Sequence, residues 1–232
     1  MKRVLLKLSG EALANGSGEI YDVDFVDSVA AALKSCAEEG TEIAVVVGAG
    51  NIWRGRQGGD MDRISADHMG MLATVINSIC LKEALIRQGA RAVVMSAVDM
   101  SPFASQYTAE RAKAELEDGK IVIFGAGLGV PFLSTDTAGA VRASEIGADA
   151  MLMAKNVDYI YTADPRIDKN AKKLERVKAS EVLAMNLKAI DATATAFCLS
   201  AGMPIRVFGF KNANDIINAI HGESLGTVIT AE

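Results

Sequence analysis

The chain has 232 residues, half of them apolar, and its 24 Lys and Arg against 29 Asp and Glu give a net charge of −5. That length allows one large α/β domain or two small ones around a sizeable core, and the mildly acidic balance argues against nucleic acid as a partner. No run of about 18 uncharged apolar residues occurs, so no membrane-spanning helix and no membrane partner are expected.

The start, MKRVLLKLSG, is interrupted by Lys7 too early for a signal peptide. Arg3–Leu8 therefore reads as a first strand, and the protein as cytoplasmic. Val23–Glu39 has apolar residues near a 3.6-residue period and reads as a helix stopped by Gly40. Glu42–Val47 is a fully apolar strand, the pattern of a sheet covered on both faces. Asp67–Gln88 reads as a long helix carrying Leu72, Val75, Ile76 and Ile79, and the next strand ends at Met95. Thr108–Glu117 (helix), Lys120–Gly125 (strand), a helix from about Thr135 and Asp149–Ala154 (strand) continue the alternation. The polar stretch Thr162–Val177 reads as a loop or hairpin that could divide two lobes. Asp191–Ala201 (helix), Ile205–Phe210 (strand), Asn214–Ile220 (helix) and the strand GTVIT close the chain. Repeated βα units imply a mainly parallel sheet with right-handed crossovers and helices on both faces.

Cys36, Cys80 and Cys198 are isolated and read as small buried residues in a reducing compartment. With only two histidines, a His-rich metal site is excluded.

In such sheets ligands sit beyond the carboxyl ends of the strands. VVVGAGNIWRG is not a dinucleotide fingerprint, because Trp53 occupies the third glycine position, and Val130 breaks the count in GAGLGVPF. No Walker-type P-loop occurs. Gly48, Ala49 and Gly50 still allow backbone N–H groups to approach an anion, with Arg54 adding charge; a plain turn after a buried strand is the alternative. Lys7 is costly to bury unless it meets an anion, or else it snorkels from an edge strand. Ser9 and Gly10 follow where the chain turns. Ser134, Thr135 and Asp136 stand where a helix begins, as caps, as phosphate ligands, or both. Lys155, Asp158, Tyr161 and Asp164 cluster after a later strand, though Asp-Pro is also a turn signal. Asp67 reads as a residue of the first helical turn that could accept bonds from sugar hydroxyls. Several basic, hydroxyl-rich glycine loops suggest two phosphate-bearing ligands and phosphoryl transfer, which needs positioning and charge neutralisation more than a nucleophilic side chain.

KLSGEAL, GAGNIWRG, DHMGMLATVIN, GVPFLSTDTAG, KNVDYIYTADP and PIRVF, in this order, resemble the bacterial-type uridylate (UMP) kinases of the amino acid kinase fold family. The resemblance spans essentially the whole chain; DHMGMLATVIN is its specific part. It implies one catalytic domain over 1–232, with a UMP-binding N-terminal lobe and an ATP-binding C-terminal lobe. The implied fold is a three-layer α/β/α sandwich with a mainly parallel sheet, assembled as a homohexamer. The implied reaction is ATP + UMP → ADP + UDP with Mg²⁺ carried by ATP and no direct protein ligand to the metal. Lys7, Leu8, Ser9 and Gly10 match the ATP-phosphate segment, and Gly50, Arg54, Asn156, Tyr161 and Asp164 match other ATP positions. Ala49, Asp67 and the loop Leu128, Gly129, Val130, Pro131, Phe132, Leu133, Ser134 and Thr135 match UMP positions. Lys7, Asp136 and Asp164 are the implied catalytic group, with Asp136 orienting Lys7.

Where relatives often carry three glycines this chain has Ala49, which is tolerable if its φ is negative. Asn15–Ile20 loosely matches a GTP-activator segment, and UTP inhibition is expected from the family alone. The competing expectations are a kinase of a carboxylate or carbamate, which Asp67 and the lack of a further domain disfavour, and a non-catalytic nucleotide or oxyanion binder.

Overall fold

The apolar runs become strands and the periodic segments become helices. The computed structural model describes residues 1–16, 18–53, 59–165, 167–187, 190–223 and 225–231. In chain order the elements are β1 (Arg3–Leu8), α1 (Gly10–Ala14), α2 (Val23–Glu38), β2 (Glu42–Val47), α3 (Arg63–Arg87), β3 (Ala92–Ser96), β4 (Ser105–Gln106), α4 (Ala109–Glu117), β5 (Ile121–Gly125) and α5 (Thr135–Ile146). They continue as β6 (Ala150–Lys155), β7 (Ile160–Tyr161), β8 (Lys173–Leu174), β9 (Arg176–Lys178), α6 (Ala179–Ala184), α7 (Ala192–Ala201), β10 (Ile205–Gly209), α8 (Asn214–His221) and β11 (Thr227–Thr230).

Nine strands form one sheet in the order β4-β3-β5-β2-β1-β6-β10-β11-β9. Every neighbouring pair is parallel except β10 with β11. Side chains alternate across it. Leu6 and Leu8 pack with Val45, Val47 and helix residues such as Val29, Leu33, Leu81 and Ile220. Leu5 packs with Val46, Met151 and residues such as Ala140, Ile146 and Cys198. Two cores on opposite faces make the three-layer α/β/α sandwich. Each buried Val or Leu contributes roughly 1.5–3 kcal/mol, so the strands that carry the site are the most firmly held part of the chain.

The structure decides two alternatives and moves one boundary. First, β1 is central, which removes the edge-strand alternative for Lys7: it stands opposite Val46 of β2 and Met153 of β6. Second, α3 begins at Arg63, a turn earlier than expected, because the Asp62 carboxylate accepts the Ser65 N–H at 2.9 Å and caps it. Asp67 therefore lies in the second turn. The buried face of α3 carries Ala73, Val75, Leu81 and Leu85, whereas Leu72 and Ile76 are half exposed. By length and composition α3 could cross a membrane, yet Leu81, Ala84 and Leu85 belong to the core beneath it. Third, the hairpin alternative for Thr162–Val177 holds among its described residues: β8 pairs antiparallel with β7, which directly precedes the stretch, and β9 joins the main sheet.

Candidate active site

The ends of β1, β2, β5 and β6 deliver the candidate residues to one rim, on either side of the point where the chain leaves β1 for β2 while β6 lies opposite. Lys7 is buried, with Nζ 2.8 Å from Asp136 Oδ1. Lys155, at the end of β6, places Nζ 2.7 Å from Asp136 Oδ2. Burial pushes the Asp136 carboxyl up, but the ammonium groups of Lys7 and Lys155 and their hydrogen bonds outweigh it and hold it below the ordinary carboxylate range. Burial pulls Lys155 below its ordinary value despite Asp136. One carboxylate between two ammonium ions leaves a net positive centre in a largely dry environment, where charge on a ligand is felt strongly.

Three turns meet beside it. A Cβ on Gly10 would lie 2.5 Å from Gly48 O and 2.5 Å from Asn51 Oδ1, so only glycine lets the first turn lie against the second. The Gly48 N–H donates to Leu8 O at 2.9 Å, and Thr135 Oγ1 lies 3.6 Å from where a Gly48 Cβ would be. Ser9 precedes α1 with no side-chain capping bond. Ala49 is not among the residues with positive φ, so its methyl is unstrained.

A cavity of about 230 Å³ opens from this rim, lined by Ala49, Gly50, Trp53, Asp67, Met71, Thr74 and, across it, Leu128, Val130, Leu133 and Thr135. Trp53, which breaks the dinucleotide pattern, donates its indole N–H to Ala66 O at 2.9 Å and forms one wall. Asp67 accepts from Arg63 Nε at 2.9 Å and from the Phe132 N–H at 2.8 Å, which ties α3 to the loop after β5. Ala126 holds φ 60°, costly for a residue with a Cβ; its N–H donates to Thr74 Oγ1 at 2.8 Å.

The expected residues do not all share one role in this geometry. Leu8 is wholly buried, so only its backbone reaches the rim. Gly129 packs under Ala97 and Val98. Pro131 and Phe132 do not line the cavity, and Phe132 is exposed with Arg63 5.5 Å above its ring. Ser134 caps α5 and donates to Asp191 at 2.5 Å. Asn156 follows Lys155 and is exposed. The Tyr161 hydroxyl donates to Asp158 at 2.9 Å, and Asp158 pairs with Lys173 of β8. The Asp164 carbonyl accepts from the Ile167 and Asp168 N–H groups. Arg54 lies outside the described residues.

Sequence reasoning gave no role to Thr74, Asn77 or Asp191, and it left Lys155 without a partner. Asp191 caps α7 and accepts the hydroxyls of both Ser134 and Thr137, anchoring the start of α5. Among the described residues no group of three or more His, Cys, Asp or Glu is placed to hold a metal ion.

The sequence model of the amino acid kinase family matches residues 2–209. A UMP kinase structure from Bacillus anthracis is 35% identical at a TM-score of 0.95, covering 100% of this chain and 96% of its own. One from Ureaplasma parvum is 33% identical at 0.93, covering 99% and 98%. A uridylate kinase from Archaeoglobus fulgidus is 26% identical at 0.75, covering 99% and 100%. Matched by the family model over most of its length and by solved members over nearly all of it, the chain belongs to the amino acid kinase family.

Proposed function

We propose that this chain is an ATP-dependent UMP kinase that transfers the γ-phosphoryl group of ATP to UMP, giving UDP and ADP. The observation that carries this reading is the Lys7–Asp136–Lys155 centre set where the Lys7–Gly10 turn, the Gly48–Asn51 turn and the start of α5 meet. A UMP phosphate oxygen attacks the γ-phosphorus, the bond to the β,γ-bridging oxygen breaks, and ADP leaves with those electrons. A phosphate monoester has a second pKa of about 6, so it is largely dianionic at neutral pH and needs no general base. Catalysis then rests on alignment and charge neutralisation. Lys7, with Lys155 beside it, neutralises the transferred group. Asp136 is a positioning residue that holds both lysines, and its oxygens are committed to them.

Ser9, Gly10, Gly50 and Arg54 are assigned to the ATP phosphates, and Asn156, Tyr161 and Asp164 to its adenosine. UMP is assigned to the cavity, with Asp67 on the ribose, Ala49, Leu128, Val130 and Leu133 along the wall, Gly129, Pro131 and Phe132 shaping the loop between them, and Thr135 at the phosphate, where the positive end of α5 favours an anion. Mg²⁺ would arrive on the ATP phosphates and neutralise their charge. The whole chain would act as one catalytic domain, with UMP on its N-terminal half and ATP on its C-terminal half. The family resemblance supports homohexamer assembly, UTP inhibition, GTP activation and a cytoplasmic place in pyrimidine nucleotide biosynthesis. The exposed Leu72, Ile76 and Ile86 of α3 also suit contact with another copy.

The test is ADP release measured with UMP, CMP, AMP, GMP and aspartate as acceptors. Turnover with UMP above the others is expected. Turnover with aspartate and none with UMP identifies a carboxylate kinase instead, and binding without turnover identifies a binder.

A further inference from the structure

Asn77 lies one turn beyond Thr74 on α3 and is fully buried. A primary amide in a core is costly unless both its donors and its acceptor are used. Its Nδ2 donates to Gly48 O at 2.7 Å and to Asn51 Oδ1 at 2.8 Å. Its Oδ1 accepts from the Tyr21 hydroxyl at 2.8 Å and from Asn51 Nδ2 at 3.2 Å. Asn51 Nδ2 also donates to Ile20 O at 2.9 Å. Two amides thus face each other in a reciprocal pair. The atoms they hold, Gly48 O and Asn51 Oδ1, are the two against which Gly10 rests.

We propose that Asn77 is a positioning residue for phosphoryl transfer. It holds the Gly48–Asn51 turn in register with the Lys7–Gly10 turn, so that the phosphates of the two nucleotides meet at a fixed separation. This rests on the UMP kinase reading. Thr74, a turn earlier, holds the Ala126 N–H in the same way, so one helix braces the turns on both sides of the cavity. Without the Asn77 amide, Gly48 O loses its side-chain donor and the second turn is free to drift from the first.

The experiment compares the wild type with Asn77→Leu, which keeps bulk and removes both donors, with Asn51→Ala, which removes the same pair from the loop side, and with the double variant. Melting curves establish which are folded at the assay temperature, and kcat and both KM values are measured with UMP and ATP. The expected result is a fall in kcat of about 10- to 100-fold in each single variant, the size of a lost buried hydrogen bond felt at the transition state. The KM values should change less, and the double variant should be no slower than the worse single, because both remove one shared pair. A purely structural amide would lower the melting temperature and leave kcat untouched below it. An Asn77→Leu enzyme that is folded and keeps kcat within about twofold overturns the proposal. If Asn77→Leu does not fold, Asn51→Ala decides: a tenfold loss of kcat supports the proposal and a wild-type kcat overturns it. A wild type with no turnover of UMP overturns the functional reading itself, an outcome distinct from all of these.

Discussion

Gly10→Ala puts the smallest side chain into the tightest contact of the site. Gly10 is not among the residues with positive φ, and alanine is the better helix former by about 1 kcal/mol, so neither backbone strain nor propensity opposes the change. All the cost comes from the new methyl, which would meet Gly48 O at 2.5 Å, Asn51 Oδ1 at 2.5 Å and Gly50 N at 2.8 Å. Relief to the 3.4 Å of ordinary van der Waals contact moves the two turns apart by about 0.9 Å. Overpacking of this kind costs about 1–3 kcal/mol, partly offset by the gain in helix propensity. Its larger effect falls on chemistry, since a misplacement of about 1 Å costs on the order of 10²-fold in rate. Coupled ADP release at saturating ATP and UMP, with a melting curve on the same sample, measures both. A folded Gly10→Ala enzyme with kcat within about threefold of wild type would refute the claim that contact between these turns sets the alignment.

Lys7→Ala should keep the fold and lower turnover by about 10²-fold or more, as for loss of a transition-state charge partner; near-normal turnover refutes the role of Lys7. Asp67→Ala should raise the KM for UMP far more than that for ATP, because the carboxylate lines the cavity and also holds the Phe132 N–H. An effect confined to ATP contradicts the ribose assignment. The Asp136 carboxyl lies below its ordinary value of 3.8, so the stability it contributes is complete above that pH and is lost as pH falls through the lowered folded value. Asp136→Asn should therefore unfold with a shallower dependence on pH below about 3.8, and equal slopes would contradict the pairing with Lys7 and Lys155.

The strands with continuous apolar runs were legible residue by residue: β1 and β2 begin and end where the sequence places them, because both faces are covered and nearly every interior position is apolar. Lys7 was legible as the exception in its strand. Its partner was partly so, since Asp136 could be placed at a helix start but its second lysine, 19 residues on, has no local signal. Asp191 shows in sequence only as a helix cap; its bonds to Ser134 and Thr137 cross more than 50 residues. The outward turn of Leu72 and Ile76 was not legible, because α3 is apolar around much of its circumference, and periodicity then cannot say which face meets the sheet. Asn77 stands at helical spacing from Asp67, Gly70 and Thr74, which line the cavity, yet spacing does not reveal what an amide will bond. The left-handed Ala126 has no sequence signature, since the Thr74 hydroxyl that fixes its N–H comes from a distant helix.

Lys7 and Lys155 stand on adjacent parallel strands, with Asp136 reaching down from the helix above. Strands in a ladder keep a spacing of about 4.8 Å whatever the loops do. The cationic centre is therefore a fixed fiducial of the scaffold, present as soon as β1 and β6 pair. The cavity walls proposed to hold the acceptor, with Asp67 and Met71 on one side and Leu128, Val130 and Leu133 on the other, belong to separate, outer segments. An engineer seeking a different acceptor base can recarve those walls and leave the reaction centre as the sheet built it.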